Sequence, residues 1–281
     1  METNKNIIWL ASYPKSGNTW FRAFISALFS EKEIDINQLG TDGIFSDKLL
    51  FEQILDLDAD EVKLEFVETW RRAVYRYHSA KCSKKIFIKI HDAYTFSEID
   101  LLPLIPTEPS KMAIYLVRNP LDVTLSLANH TGRTIDKTID KLITNAEGAI
   151  GIKPTSNFNQ FYQPLGTWSM HVETWKNNTD FPVHFIKYED MKAIPFRTFK
   201  DAVEAMKLNF SDTQIRNAID QTEFEKLKDK EIKNGFKENQ NLKSTFFNKG
   251  QVGRWKTELT AKQIDRIRQA NEPMMREFGY W

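Results

Sequence analysis

The stretch Ser12-Tyr-Pro-Lys-Ser-Gly-Asn-Thr-Trp20 lies between an apolar run that begins at Asn6 and a second apolar segment, Phe21–Phe29. A strand, a turn with one glycine and a helix form a typical anion-binding site, because backbone N–H groups converge there and the helix dipole adds partial positive charge. Lys15 adds a cation at the mouth of this turn, and Gly17 permits close backbone approach. The stretch therefore predicts a phosphate-binding loop in an α/β protein.

Three further apolar runs have the composition of strands, rich in Ile, Val and aromatic residues. With the first they are Asn6–Ser12, Lys85–Ile90, Met112–Val117 and Val183–Tyr188. Helical patterns lie between them, with Asn119-Pro120 as an N-cap and a first-turn proline and with candidate capping boxes at Ser211 and Thr260. Strands that alternate with helices predict a central parallel sheet that is flanked by helices on both faces.

Two segments fit the sheet pattern poorly. Residues 131–163 are polar and contain glycines, and residues 227–253 are rich in Lys and Asn. Such long segments usually form lids or binding loops, although a tolerated surface insertion has the same pattern. Because no linker or repeat divides the chain, we expect one domain over residues 1–281, in which these two segments cover substrate and cofactor.

Charge and composition limit the classes of function. There are 39 Lys and Arg residues against 38 Asp and Glu residues, a formal net charge of +1, which argues against nucleic acid as a partner. The single cysteine, Cys82, excludes an intrachain disulfide and a zinc site of several thiolates. No spacing predicts a metal, and no segment resembles a signal peptide or a membrane span. We therefore expect a cytoplasmic protein that needs no metal and has no membrane partner.

The predicted loop differs from a Walker A loop. That pattern places its lysine after the second glycine, whereas Lys15 precedes the only glycine here. The third strand is followed by Arg118, where a Mg²⁺-dependent kinase would have an acidic residue. A cation at that position suits a second phosphate group directly.

The string Tyr13–Trp20 resembles the 5′-phosphosulfate loop of the cytosolic-type sulfotransferases, which use 3′-phosphoadenosine 5′-phosphosulfate (PAPS) as donor. Three further motifs occur in the family's order. Lys89-Ile90-His91 is similar to its Lys-Thr-His segment, Ile114–His130 to the strand and helix that bind the 3′-phosphate, and Asn248–Lys256 to its late Arg-Lys-Gly-x-x-Gly-Asp-Trp-Lys signature. The matches span nearly the whole chain. They imply a P-loop-like sulfotransferase fold, and the Lys-, Asn- and Ile-rich composition suggests a bacterial member.

The resemblance implies a function, transfer of a sulfonate group to a hydroxyl or amine of a small-molecule acceptor, and a role for each matched residue. Lys15 would stabilise the leaving group. His91 would be the general base, for which an unperturbed pKa of about 6.5 is suitable, whereas the other histidines have no comparable placement. Lys89 would help to hold the transferring group. Ser126 would bind the 3′-phosphate with Arg118 and restrain the catalytic lysine until the acceptor binds.

The other implied contacts are with the nucleotide. The residues that would bind it are Lys15, Ser16, Gly17, Asn18, Thr19, Trp20, Arg118, Ser126, Tyr188, Thr222, Phe224, Asn248, Lys249 and Gly250. Asn248 stands where the family usually has Arg, so we expect weaker donor binding or a nearby arginine in its place; Arg254 replaces the usual Asp. We expect the basic side chains to converge on one anion pocket, with the acidic residues elsewhere.

The acceptor site is predicted only in outline. Aromatic side chains in and near the covering segments suggest an apolar or ring-bearing acceptor; they are Phe158, Phe161, Tyr162, Trp168, Phe246 and Phe247. The family's dimer motif is matched only in part, from Lys256 to Asp265, so we expect a monomer or a weak homodimer. Two alternatives stay open: a P-loop kinase for a small molecule and a non-catalytic nucleotide-binding module.

Overall fold

The computed structural model describes residues 4–151, 160–239, 241 and 244–281. Its strands are β1 (Ile7–Ser12), β2 (Ile86–Ile90), β3 (Ser110–Val117), β4 (Ala149–Ile150), β5 (Gln163–Pro164) and β6 (Val183–Lys187). Four of them form one parallel sheet in the order β2-β1-β3-β6, while β4 and β5 form a small antiparallel pair. The predicted parallel sheet is confirmed.

Helices connect and cover these strands. They are α1 (Asn18–Phe29), α2 (Lys48–Leu55), α3 (Leu64–Lys81), α4 (Pro120–Thr131), α5 (Ile135–Thr138), α6 (Trp168–Lys176), α7 (Tyr188–Ala193), α8 (Pro195–Ala205), α9 (Asp212–Gln221), α10 (Phe224–Asn234), α11 (Trp255–Glu258) and α12 (Ala261–Glu277). A 3₁₀ turn at Ala59–Glu61 and a π-helical turn at Ile139–Ile143 complete the set. None of the helices in the described ranges is long and apolar enough to cross a membrane.

The sheet is buried on both faces. Along β1, Ile7 and Trp9 pack into one core cluster with side chains of α3, α6 and α12. Ile8 and Leu10 point the other way, into a second cluster with α1, α8 and α9. The alternation follows from the two-residue period of a strand, and it explains why β1 is apolar throughout.

Helix starts agree with their sequence signals. The Asn119 side chain accepts a hydrogen bond from the Leu121 amide, with Pro120 in the first turn of α4. The capping boxes at Ser211 and Thr260 both form as predicted. These caps fix where α4, α9 and α12 begin, and α4 begins two residues after Arg118.

The parallel topology places the carboxyl ends of all four central strands along one edge of the sheet. The loop with Lys15 comes after β1, His91 after β2, Arg118 after β3, and Tyr188 after β6. Ligands of open α/β sheets bind at this edge. Four separate parts of the sequence therefore meet in one place.

Parts of the first predicted covering segment close one side of that edge. Residues 41–47 run beside β2, where the Phe45 amide donates to the Lys89 carbonyl at 2.8 Å. The Phe161 amide in turn donates to the Ser46 carbonyl at 2.8 Å, and the Ala93 amide donates to the Pro164 carbonyl at 2.7 Å. Backbone pairing thus carries residues near 160–164 to the end of β2, beside His91.

The aromatic cluster beneath α1 gives a test of this architecture. Phe199 of α8 is fully buried, with its ring centroid 4.2 Å from that of Phe24 and 5.7 Å from that of Trp20. Phe199→Ala is expected to lower the free energy of unfolding by about 3–5 kcal/mol, because it leaves a cavity in a packed core. Urea denaturation measures this loss, and Phe66→Ala, at a ring that is 45% exposed, is the control. Equal losses in the two variants would contradict the packing described.

Candidate active site

The loop between β1 and α1 has the backbone of an anion cradle. Lys15 (φ 69°) and Gly17 (φ 102°) both adopt left-handed conformations. A non-glycine residue in this conformation costs roughly 1–2 kcal/mol of free energy. The strained backbone at Lys15 therefore indicates a functional turn. A Cβ atom on Gly17 would lie 2.8 Å from the Tyr188 ring, which explains the glycine at this position.

Polar atoms of this loop divide into two groups. The side-chain Nδ2 of Asn18 donates to the Leu10 carbonyl at 2.8 Å and to Ser12 Oγ at 3.2 Å, so it stabilises the turn. The Ser16 hydroxyl and the Trp20 indole N–H are buried and have no hydrogen-bond partner in the described part of the chain. Such orphaned groups are unfavourable unless a ligand or water satisfies them, and they fit a phosphate group bound at this turn.

A cavity of about 1080 Å³ extends from this loop along the carboxyl edge of the sheet. Its wall includes nearly all the predicted site residues: Lys15, Gly17, Asn18, Thr19, Trp20, Lys89, His91, Arg118, Ser126, Tyr188, Phe224, Asn248, Lys249 and Gly250. Two side chains are not brought to the wall. Ser16 is buried beneath the loop, and the buried Thr222 hydroxyl donates to the Ala218 carbonyl at 2.7 Å. A side-chain contact of Thr222 with a nucleotide therefore has no support in the geometry.

Hydrogen bonds fix His91 in one tautomer. Its Nδ1 lies 2.8 Å from the Ser12 carbonyl oxygen, which only accepts, so Nδ1 carries the proton and Nε2 is left with its lone pair. Its own carbonyl accepts from His171 Nε2 at 2.9 Å, and the Tyr115 hydroxyl donates to His171 Nδ1 at 2.7 Å. Burial, and then the charge of Lys89, lower the pKa of His91 well below 6.5. The imidazole is therefore neutral at pH 7 and able to accept a proton.

Both predicted catalytic lysines are in contact with one segment of the chain, residues 236–247. Lys15 Nζ lies 3.3 Å from the centroid of the Phe246 ring, a close cation–π contact. Lys89 Nζ lies 3.0 Å from Glu238 Oε2. Burial, and then the charges of Lys89 and Arg118, lower the pKa of Lys15 from 10.5 to about 7. The protein thus holds Lys15 partly neutral until a counter-charge is supplied.

Glu238 corrects the expectation that acidic residues lie outside the anion pocket. Its carboxylate is part of the cavity wall and also accepts from Arg22 Nη1 at 2.7 Å, so it bridges α1 and β2. Burial raises the pKa of Glu238, but the charges of Lys89 and Arg22 outweigh it and hold that pKa below its usual range. No sequence signal marked Glu238 or Arg22, because their contact joins residues 216 positions apart.

A buried carboxylate shapes the segment that contacts the lysines. Glu231 of α10 is 5% exposed and accepts hydrogen bonds from the Phe246 amide at 2.6 Å, the Phe247 amide at 2.8 Å and Asn239 Nδ2 at 3.2 Å. These bonds fold the chain back on α10 and place the Phe246 ring above Lys15. No local pattern around Glu231 predicted this role.

Arg118 lies in the cavity wall as predicted, but its guanidinium already bonds to backbone. Nη1 donates to the Lys15 carbonyl and Nη2 to the Gln251 carbonyl, each at 3.2 Å, and the group lies 4.2 Å above the Tyr188 ring centroid. Nε has no hydrogen-bond partner among the residues described. Arg118 therefore connects the loop of Lys15 to the segment of Gln251, and its Nε–H is the donor that a ligand could use.

The motif Asn248–Lys256, called the late motif here, is held against α4. Both oxygens of Asp122 accept backbone hydrogen bonds, from Gly253 at 2.7 Å and from Trp255 at 3.2 Å. A Cβ atom on Gly250 would lie 2.5 Å from the Phe224 ring, so the segment passes that ring closely. Asp122 lies within the stretch that matched the family pattern, and the structure gives it this anchoring function.

Position 248 has an asparagine, and two cations lie near it on the cavity wall. Asn248 donates to the Asn129 side chain at 3.2 Å. Arg254 lies on the same cavity wall, where it and Lys249 share the Glu258 carboxylate at 2.7 and 3.1 Å. Arg254 is thus a candidate for the nearby arginine, and which of the two expectations holds, weaker donor binding or a substitute arginine, stays a prediction.

Three aromatic residues among those predicted to bind the nucleotide, Trp20, Tyr188 and Phe224, lie close together. The Trp20 and Tyr188 rings meet edge to face at 5.9 Å between centroids. Lys192 Nζ lies 5.6 Å from the Trp20 ring centroid and 5.2 Å from that of Phe224, so both rings border one position. A planar ring in that position would contact both aromatic side chains after displacement of the lysine.

The acceptor side of the cavity differs from its prediction. Phe161 and Trp168 are buried in the core, and exposed Tyr162 is not part of the cavity wall. Phe246 and Phe247 do line the cavity, and Phe158 lies outside the described residues. Polar side chains complete this wall, namely Thr41, Asp47, His130, Gln160 and Gln163. Gln160 and Gln163 line the cavity, whereas Phe161 packs in the core and Tyr162 is exposed, a division that a count of aromatics does not detect.

His130 corrects the expectation that the other histidines have no comparable placement. It faces the cavity beside the Phe246 ring, 5.6 Å between centroids. Burial, and then the charges of Lys15 and Lys89, lower the pKa of His130 to about 3. It is therefore a neutral hydrogen-bonding group near the predicted reaction centre.

The family profile described as "Sulfotransferase domain" matches residues 5–279. The chain belongs to the sulfotransferase family. Flavonol 3-sulfotransferase of Flaveria bidentis is 27% identical over 279 residues, covering 95% of this chain and 80% of that protein. Cytosolic sulfotransferase 13 of Arabidopsis thaliana is 25% identical over 270 residues, covering 92% and 74%.

The fold agrees with this sulfotransferase assignment. The structure of mouse sulfotransferase SULT7A1 complexed with PAP superposes with a TM-score of 0.62 at 22% identity, covering 98% of this chain and 87% of that one. The predictions of family and of a P-loop-like sulfotransferase fold are confirmed, and the kinase alternative is wrong. Within the ranges that the structure describes, no three His, Cys, Asp or Glu side chains are grouped to hold a metal ion.

Gly17 provides a test of the phosphate loop. Gly17→Ala is expected to weaken binding of adenosine 3′,5′-bisphosphate (PAP) at least tenfold, because the new Cβ would force the Tyr188 ring and the loop apart. Isothermal titration calorimetry measures the change. Gly279→Ala is the matched control, since Gly279 also has a positive φ of 71° but a Cβ atom there would meet no atom within 4 Å. A similar loss in both variants would show that general backbone strain, and not the cradle, is responsible.

Proposed function

We propose that this sulfotransferase transfers a sulfonate group from PAPS to a hydroxyl group of a small-molecule acceptor. The observation that carries the proposal is the placement of His91 on the wall of one cavity with Lys15 and Lys89. Its imidazole is neutral, and Nε2 carries a lone pair that can accept a proton. The orphaned Trp20 donor on the cavity wall supports a bound 5′-phosphate, and the PAP complex of the mouse relative supports the nucleotide.

The reaction makes simple demands on the protein. PAPS, when bound, supplies a sulfonate group activated by its bond to a phosphate oxygen. His91 Nε2 accepts the acceptor's hydroxyl proton as the new sulfur–oxygen bond forms and the old one breaks. Lys15 donates hydrogen bonds to the phosphate oxygen that is left with the electron pair. Positioning and electrostatic stabilisation supply most of the rate enhancement, so the side chains that hold the reacting groups must be fixed in place.

Fixed orientation is what the chain provides for the base. Ser12 directs His91 Nδ1, and His171 holds the His91 carbonyl, so the imidazole ring has little freedom to rotate. Ser12 also ends β1, immediately before the phosphate loop. The base and the leaving-group site are therefore held at a set separation by one strand.

The acceptor in this proposal is a ring-bearing molecule that also carries polar groups. Ile44, Ile150 and Phe246 offer apolar surface, while Asp47 and Gln163 offer hydrogen bonds on the same cavity wall. The name of the flavonol relative agrees with a polyhydroxylated ring compound. We further propose a cytoplasmic location, which agrees with the name of the Arabidopsis relative. We also propose that the protein is a monomer or a weak homodimer and that it has no nucleic-acid partner.

His91→Ala is expected to lower kcat by about 10²–10⁴, because the attacking hydroxyl loses its base, while the Kd of PAP changes less than about twofold. Radiolabelled PAPS with a panel of phenols, flavonols and glycosides measures turnover. His184→Ala, on the outer strand β6 and away from the cavity wall, should leave turnover unchanged. Near-normal turnover of the His91 variant would remove its role as base, and PAP binding without turnover on any acceptor would favour the non-catalytic alternative.

Affinity for PAP is expected to fall as pH rises above 7, by up to about tenfold per unit. The free protein holds the pKa of Lys15 at about 7, whereas an adjacent phosphate favours its charged form, so binding takes up a proton at higher pH. Calorimetry between pH 7.5 and 9, where the nucleotide phosphates are already ionised, measures this slope. Lys15→Met should remove it and Lys249→Met should retain it. A slope that persists without Lys15 would contradict the assignment.

A further inference from the structure

The three-residue bridge formed by Arg22, Glu238 and Lys89 is the most unusual feature of the cavity. One carboxylate oxygen of Glu238 contacts Arg22 Nη1 at 2.7 Å, and the other contacts Lys89 Nζ at 3.0 Å. All three side chains are largely buried, with 9%, 25% and 15% of their surface exposed. A carboxylate here opposes the entry of any anionic donor, so its presence needs a physical reason.

The position of the bridge points to the transferring group. Arg22 lies on α1, one helical turn beyond Asn18 of the phosphate loop, and Lys89 lies two residues before His91 on β2. Both cations lie on the same cavity wall as Lys15 and His91, and the charge of Lys89 acts on both of those groups. In an in-line reaction the sulfonate passes between the leaving phosphate and the base, and so along this wall.

We infer that Arg22 and Lys89 together form the sulfonate subsite, and that Glu238 stands in for the sulfonate while no donor is bound. This inference rests on the proposed function. A carboxylate and a sulfonate are both oxyanions of one negative charge, and each can present separate oxygens to two cations. Arginine and lysine bind such oxygens through charge-assisted hydrogen bonds. Arg22 is therefore a donor-binding residue, and Glu238 sets how strongly the sulfonate is held.

A purely structural role for Glu238 is the competing explanation. The segment 236–247 already has other anchors near this point. Asn37 Oδ1 accepts from the Lys237 amide at 2.8 Å, Asn37 Nδ2 donates to the Gly235 carbonyl at 3.1 Å, and Glu231 holds Phe246 and Phe247. The segment is thus fixed on both sides of Glu238 without its two ion pairs.

Binding of PAP and of PAPS, without acceptor, separates the two explanations. The two nucleotides carry the same formal charge when ionised, because the second charge of the 5′-phosphate in PAP moves to the sulfonate in PAPS. The change in the ratio of Kd for PAP to Kd for PAPS from one protein to another therefore reports the sulfonate subsite, because the phosphate loop is the same in all of them. In the unchanged protein we expect a ratio near one, since the sulfonate must displace Glu238.

Glu238→Gln is expected to raise this ratio at least tenfold, because both cations are then available to the sulfonate. The double variant Arg22→Gln, Glu238→Gln should lose most of that increase. Glu258→Gln is the matched control: Glu258 also pairs with two cations of the cavity wall, Lys249 and Arg254, and its loss should change both Kd values by the same factor.

Equal changes for PAP and PAPS in Glu238→Gln would overturn the inference, since Glu238 would then act only as a general negative charge. Thermal denaturation establishes that each variant folds, and Glu238→Ala takes the place of Glu238→Gln where the latter does not. Failure of every protein, including the unchanged one, to bind PAP would instead overturn the proposed function.

Discussion

Every feature of this site depends on the parallel pairing of β1 with its two neighbours. Ala11 is in register with Ile90 of β2 and with Tyr115 of β3, so the three strands end at nearly the same height. Each strand leads directly into residues predicted to act in catalysis or binding: the loop with Lys15 after β1, His91 after β2 and Arg118 after β3. A shift in either register would move a base or a cation along the sheet by a whole residue, about 3.3 Å, which is too far for contact with one nucleotide.

Convergence of this kind has an electrostatic cost. Lys15, Lys89 and Arg118 repel one another in a largely buried place, and this repulsion adds to burial in depressing the pKa of Lys15. The chain offsets it with its own groups. Phe246 presents an aromatic face to Lys15, Glu238 neutralises Lys89, and backbone carbonyls accept from Arg118. In our proposal an anionic nucleotide competes with these internal partners, so its affinity is the difference between two states in which the three cations have partners.

The sequence predicted the features that local patterns encode. A strand, a loop and a helix in succession fix the surroundings of Lys15, and a strand end fixes those of His91 and Arg118, so these positions depend on a few adjacent residues. Glu231, Glu238 and His130 carried no such signal, because their functions depend on where a long, polar segment folds back over the sheet. The prediction that Phe161 lines the acceptor site is wrong for a local reason. Gln160 and Gln163 face the cavity, and the path of the backbone between them turns Phe161 into the core.

These differences separate two parts of the site, one built on β1 and one contributed by a distant segment. Asn18 joins the loop to the Leu10 carbonyl and the Ser12 hydroxyl, and the Ser12 carbonyl in turn accepts from His91, so cradle and base form one hydrogen-bonded unit on β1. Among the described residues of 236–247, Phe246 and Glu238 contact the two lysines through their side chains. In our proposal, substitutions in this hydrogen-bonded unit change the geometry of the reaction. Substitutions at Glu238 change instead which anion Arg22 and Lys89 hold, and thus how tightly the donor binds.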